Sequence, residues 1–175
     1  MRYLYILLFS IALAADDHSS EGKVDENCKD ITKDNISERS FTNEYVGTFN
    51  GKRIEYSAGL KEKVLYEKDN PDAPQASFFY TEYIAKNGNQ RPVIFSFNGG
   101  PGSASLWLHM GVLGPKVIKV PSNASDDGSP PYKIVDNKLS PLSEADLVFI
   151  DPIGTGYSRA IGCHTGEEFW GVNED

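Results

Sequence analysis

The sequence predicts an α/β fold built on a mixed sheet, and three features carry that reading. Two short apolar runs, Val93-Ile94-Phe95-Ser96-Phe97 and Ala145-Asp146-Leu147-Val148-Phe149-Ile150-Asp151, have the length and composition of strands buried on both faces of a sheet. The first runs into Asn98-Gly99-Gly100-Pro101-Gly102 and then into helical spacing from Ser103 to Met110, a strand–loop–helix passage. Upstream, Glu44–Phe49 and Lys52–Ser57 flank Asn50-Gly51, a dipeptide suited to the type I′ turn of an antiparallel hairpin.

The elements follow in chain order. Met1-Arg2 is a basic start, Tyr3 to Leu13 is almost wholly apolar, and Ala12-Leu13-Ala14 presents small residues where a signal peptidase reads. Residues 1–14 are therefore expected to be a secretory signal peptide; a buried N-terminal helix is the competing reading, and the run is short for a bilayer. Residues 15–40 read as a flexible polar leader. Order is expected from near Phe41, opening a domain over 41–175. After the hairpin, Ala76–Ala85 is an aromatic-rich strand turned by Lys86-Asn87-Gly88-Asn89. In the helix, Ser103 is the candidate N-cap and Leu106, Leu108 and Met110 are the apolar candidates. Pro121–Tyr132 reads as a surface loop. Thr165-Gly166-Glu167-Glu168 matches a capping box, so a helix should start there, with Phe169, Trp170 and Val172 beginning an apolar face.

Charge and cysteine usage narrow the function classes. A formal net charge of −8 over 175 residues argues against nucleic-acid binding, which leaves a basic footprint. Cys28 and Cys163 are the only cysteines. In an exported chain they can pair, but their spacing brings neither a pairing nor a zinc site into view. No metal or cofactor is expected. Asn35-Ile36-Ser37 and Asn123-Ala124-Ser125 are glycosylation sequons in a eukaryotic host.

The glycine segment between strand and helix is where backbone N–H groups can point outward together and hold developing negative charge. Its bland alternative is a tight turn without a ligand. Phosphate binding is disfavoured because no Gly-Lys-Ser/Thr follows. Gly156-Tyr157-Ser158-Arg159-Ala160 imitates a nucleophile elbow but is rejected, since Pro152 to Gly156 separate the serine from its strand and no helix pattern follows. Of the histidines, His18 lies in the leader and His109 in the short helix, where a core-flanking or cleft-facing role outweighs that of general base. His164 precedes Glu168 where a second zinc ligand would be needed.

Taken in order, Asn98-Gly99-Gly100-Pro101-Gly102, Leu113-Gly114-Pro115 and Asp151-Pro152-Ile153-Gly154-Thr155-Gly156-Tyr157-Ser158 resemble the successive motifs of serine carboxypeptidases, most closely the branch common in bacteria. The similarity runs from about Thr42 to Asp175. It implies an α/β-hydrolase fold, of which this chain holds the N-terminal part of the mixed sheet, and removal of C-terminal residues from peptides, often at acidic pH. By the same resemblance the backbone N–H of Gly100 serves the oxyanion, Asn98 and Gly99 line the subsite for the peptide's terminal carboxylate, and Gly154, Thr155, Gly156 and Tyr157 form cleft wall. The family's "GESY" nucleophile, aspartate and histidine match nothing in this sequence, so the isolated chain is expected to be inactive. Three positions depart from the family: Ser96 stands for a tryptophan, Ser103 for a disulfide cysteine, and Val112 for a glutamate that helps bind the substrate carboxylate. Valine offers no hydrogen bond, which opens an esterase or acyltransferase reading beside that of an inert secreted peptide-binding fragment. The implied partners are peptide or protein C-termini, with neither nucleic acid nor, after signal cleavage, membrane. The implied location is an exported compartment: secreted, periplasmic, or lysosome- or vacuole-like.

Overall fold

A computed structural model of the chain describes residues 31–86, 88, 90–99, 102–120, 123 and 130–171. The expected signal peptide, most of the expected leader, Gly100, and the tail beyond 171 lie outside the described residues.

The hairpin forms where the alternation and the Asn-Gly pair place it. Strand β1 (Ser40–Phe49) pairs antiparallel with β2 (Lys52–Tyr66), and the turn takes Asn50 to φ 48° and Gly51 to φ 78°. Strand β2 outruns its expected end by nine residues, because Gly59, Lys61, Glu62 and Lys63 mask its period. Those polar side chains engage neighbours: Lys61 pairs with Glu82 at 2.5 Å, and Lys63 with Glu38 at 2.7 Å. Buried Glu62 receives the Arg39 Nε–H at 2.8 Å and the Ser77 hydroxyl at 2.7 Å. Contacts with the sheet region extend before Phe41, through Glu38 and Arg39 to a 3₁₀ turn at Lys33–Asn35, where the Lys33 N–H donates to the Asp72 carbonyl at 3.3 Å.

Strand β3 (Pro74–Ala85) pairs with β2 along one side and, on the other, with β7 (Asp146–Ile150) at one end and β8 (Arg159–Ala160) at the other. Strand β4 (Val93–Ser96) lies parallel to β7, giving the order β1-β2-β3-β7-β4. The sheet is mixed, as the sequence predicts. The connection from β4 to β7 carries a small antiparallel pair, β5 (Lys116–Ile118) and β6 (Ile134–Asp136).

One face of the sheet is packed. Phe49, Ile54, Tyr56, Tyr83, Ala85, Leu147 and Phe149 meet Leu142 from the crossover, with Ile94, Leu108 and Leu113 against them. Each such large side chain contributes roughly 1.5–3 kcal/mol on burial. The expectation that both apolar runs are buried on both faces holds for β7 but not for β4. Val93 and Phe95 are 45% and 63% exposed, because β4 is the edge strand and nothing described covers the face they share.

The helix also departs from its reading. Strand β4 is followed by α1, only Leu106–Leu108, which runs into a π-helical turn over His109–Leu113. Ser105, not Ser103, is the N-cap residue, and its hydroxyl goes to strand carbonyls instead of capping. Leu106 is exposed, whereas Leu108 packs on the core. The expected helix at Thr165 is a 3₁₀ turn over Gly166–Phe169; the Thr165 N–H still donates to Glu168 Oε1 at 2.7 Å, as a capping box requires.

Candidate active site

The parallel strands β4 and β7 end side by side, with Ser96 in register with Phe149. Crevices outside the carboxyl ends of such strands are where α/β sheets hold ligands. Two chain segments leave here, Phe97-Asn98-Gly99 and Asp151-Pro152-Ile153, and buried polar side chains fix both.

Ser105 donates from its hydroxyl to the Ile150 carbonyl and, at 3.4 Å, to the Ser96 carbonyl, tying the two strand ends together. Its N–H donates to Asp151 Oδ1 at 2.8 Å, while the Asp151 N–H donates to the Phe79 carbonyl at 3.0 Å. Asn98 Oδ1 accepts the Leu108 N–H at 3.2 Å, holding the glycine segment against α1. Beneath them His109 stacks on Phe149 with ring centroids 4.6 Å apart, and its Nε2 lies 2.6 Å from the Tyr83 hydroxyl. Burial pushes the His109 pKa down, with the Asp151 charge acting in the opposite sense; burial pushes the Tyr83 phenol up. His109 is thus a core-flanking residue.

The segment after β7 is stitched closed. Ser158 is fully buried; its Oγ accepts the Phe79 N–H at 2.8 Å and donates to the Asp151 carbonyl at 2.7 Å. A serine committed to two backbone groups is a structural bond, in keeping with its rejection as an elbow nucleophile. Gly156 sits at φ 50° with Asp151 Oδ2 where a Cβ would be, so any side chain there displaces the carboxylate.

A cavity of about 680 Å³ opens beside these segments, on the sheet face opposite the core cluster. Leu65, Phe78, Phe97, Ile150, Ile153 and Trp170 give it apolar walls, and Asn98, Gly99, Gly102 and Asp151 give it a polar end. Apolar pockets with a few convergent polar groups are the usual form of a small-ligand site. Gly102 needs its glycine for φ 91°, but a Cβ at Gly99 would meet nothing within 4 Å. The backbone at Gly99 is open to the cavity.

Of the residues singled out from sequence, Asn98 and Gly99 line this cavity together. Gly154, Thr155, Gly156 and Tyr157, expected to form cleft wall, are not among the residues that line it. Thr155 is buried and donates its hydroxyl to the Pro152 carbonyl at 2.9 Å. Tyr157 is 72% exposed with its ring against Phe79. Gly154, at φ 90°, has Trp170 Nε1 3.3 Å from the place of a Cβ. Gly100 lies outside the described residues. Val112 is exposed and its carbonyl accepts from Asn137 Nδ2 at 2.8 Å. Sequence reasoning missed Ser105 and Asp151 as anchors and the aromatic wall of Phe78, Phe97 and Trp170. Asp151 carried a signal, a carboxylate closing an apolar strand; the aromatics, scattered over the chain, carried none. Among the described residues no His, Cys, Asp and Glu cluster fits a metal ion.

Residues 59–165 match the peptidase S10 family, serine carboxypeptidase. The pheromone-processing carboxypeptidase KEX1 of Saccharomyces cerevisiae is 36% identical over 100 residues, covering 57% of this chain and 12% of that protein. The serine carboxypeptidase-like 36 of Arabidopsis thaliana is 35% identical over 94 residues, 53% of this chain and 18% of its own. Carboxypeptidase Y homolog A of Trichophyton tonsurans is 31% identical over 107 residues, 61% and 18% respectively. The matched stretch thus spans under a fifth of each of these relatives.

Proposed function

The chain belongs to the serine carboxypeptidase family, and on that premise we propose that it provides the substrate-holding half of a serine-type carboxypeptidase of the α/β-hydrolase fold. The observation that carries the reading is the pair Asn98 and Gly99 at the polar end of an apolar cavity. With Oδ1 committed to the Leu108 N–H, the group Asn98 offers the cavity is its amide Nδ2 donor, which suits a carboxylate. Open backbone at Gly99 lets a peptide terminus approach, and the apolar walls take a side chain. In this reading the Gly100 N–H holds the developing oxyanion, and residues 154–157 brace the wall.

The chemistry needs a serine from a further segment. Its Oγ attacks the scissile carbonyl, the C-terminal amino acid leaves with a proton on its nitrogen, and water hydrolyses the acyl-enzyme. The isolated chain binds without reacting. Export through residues 1–14 and descent from the branch common in bacteria belong to this reading, supported by the apolar start and the FNGGPGSAS stretch. Val112, exposed and without an acceptor side chain, favours one alternative, an esterase or acyltransferase that has no use for a free carboxylate.

Fluorescence anisotropy with a labelled peptide tests this. The free-acid form should bind, the C-terminal amide should bind more weakly, and Asn98→Ala should lose roughly tenfold or more of the free-acid affinity, the usual scale for a hydrogen bond to a charge. A fluorophosphonate probe should leave the chain unlabelled. Equal affinity for acid and amide would overturn the carboxylate subsite; labelling would overturn the inertness.

A further inference from the structure

Two stretches of chain that are distant in sequence meet at the turn between β2 and β3. That turn is compact: the Glu67 N–H donates to the Ala73 carbonyl at 2.9 Å and the Ala73 N–H to the Asn70 carbonyl at 3.0 Å. The segment ahead of β1 reaches it through Lys33, whose N–H donates to the Asp72 carbonyl at 3.3 Å and whose Nζ lies 3.7 Å from Asp72 Oδ1. The segment after β8 reaches it too. There the Ile161 N–H donates to the Gln75 carbonyl at 2.9 Å, and His164 Nε2 lies 3.5 Å from Glu67 Oε1. Between Ile161 and His164 stands Cys163, which is disulfide-bonded.

The sequence has one other cysteine, Cys28, so the bond closes the chain on itself or joins two copies. Placement favours closure. Cys28 precedes Lys33 by five residues, and five residues span at most about 18 Å. A chain held at Asp72 therefore keeps residue 28 within reach of the turn that Cys163 adjoins.

Beyond Cys163 lies the 3₁₀ turn Gly166–Phe169 and then Trp170, both at the cavity wall. The Thr165–Glu168 capping box is internal to that turn; it fixes the turn's shape, not its place on the molecule. Outward contacts of the indole are looser. Its Nε1–H donates to the Ile153 carbonyl at 3.4 Å, longer than an ordinary N–H···O bond, and it lies against Gly154. The segment ahead of β1 is anchored more firmly. Glu38 takes the Lys63 ammonium at 2.7 Å and the Val64 N–H at 3.2 Å, and Arg39 Nε–H donates to buried Glu62 at 2.8 Å.

We propose that the Cys163 disulfide runs to Cys28 and is a covalent strap, fastening the Trp170 wall of the cavity to the segment anchored on β2. It closes by exchange with a small disulfide of the glutathione class. One thiolate forms a mixed disulfide with that molecule and releases a thiol; the other thiolate then displaces the second. One S–S bond forms here as one breaks there, and two protons and two electrons pass to the leaving thiols. Such a strap persists in an oxidising compartment and opens in a reducing one. It acts on the wall and does not require the carboxypeptidase reading.

Mass spectrometry of the unreduced tryptic digest should find the peptides of Cys28 and Cys163 joined in a monomeric chain. A covalent dimer, or thiols that react with Ellman's reagent, would overturn the closure. Hydrogen exchange read with and without reductant tests the fastening. Reduction should speed exchange about tenfold or more in residues 31–39 and 161–170, a modest share of what a disulfide contributes, and leave β3 and β7 unchanged. Cys163→Ser should match the reduced parent and ignore reductant. Unchanged exchange in both segments, or acceleration spread equally through β3 and β7, would overturn the strap. The chain has two tryptophans, so in Trp107→Phe the iodide quenching of Trp170 should rise about twofold on reduction; quenching equal in both redox states would mean that the bond does not reach the wall.

Discussion

At the scale of single residues, the site rests on polar groups held in place by backbone partners. Ser105, Ser158 and Asp151 are consumed by backbone partners, and Asn98 gives half of its amide to α1. His109 is the member of this framework most sensitive to a change of pH, although it is buried. Its lowered pKa comes first from burial. A group depressed in the folded state contributes stability that is present above its unfolded pKa, near 6.5, and lost as pH falls through the folded value. Stability should therefore decline below about pH 6.5. The decline is read from urea midpoints measured between pH 7 and 5. His109→Phe should lower stability at neutral pH, because the Tyr83 hydroxyl loses its partner, yet flatten the slope between pH 7 and 5. An equal slope in both chains would exclude His109 as its source.

At the scale of elements, the turn at Asn50-Gly51 isolates a pure backbone effect. Gly51 sits at φ 78° with nothing near the place of a Cβ, so Gly51→Ala introduces left-handed strain and no clash. Its expected cost is about 1–2 kcal/mol, measurable as a shift in urea midpoint; no shift would mean that the hairpin relaxes into another turn. This hairpin was legible because its signals are local: alternation, then a dipeptide with one physical use. The same holds for β3, β7 and the capping box at Thr165. What escaped reading was set at long range. The length of β2 depends on Glu38, Arg39 and Glu82 neutralising its charges. The exposure of β4 depends on its place at the sheet edge, which an apolar run cannot announce. The π-helical turn depends on Gly114 closing onto the His109 carbonyl, where a Cβ would collide with that oxygen. The candidate site was half legible, in Asn98 and Gly99, because a motif marks them; its aromatic walls come from three separate stretches and needed the fold.

At the scale of the whole molecule, one face of the sheet is a core and much of the other is uncovered among the described residues. Val93, Phe95 and Phe97 alternate along β4 and its exit, 45%, 63% and 64% exposed, and lead into the cavity. Strand β4 is also the edge of the described sheet. Unpaired edges and contiguous apolar surface promote association. Sedimentation velocity should show the chain self-associating as concentration rises, and Phe95→Lys should reduce this without a loss of fold, since the side chain stands in solvent. A chain monomeric at all concentrations would mean that this face is screened.

The route of the chain around β3 carries a further consequence. It leaves that strand's edge at Ile150 and rejoins it at Arg159, with Ser158 reaching back to Asp151 to shut the neck. Residues 152–157 therefore hang from the sheet like a handle on a door. A change of length in such a handle leaves the pairing of either strand with β3 untouched, so its cost falls on the neck bond and on Gly156 beneath Asp151 rather than on the sheet.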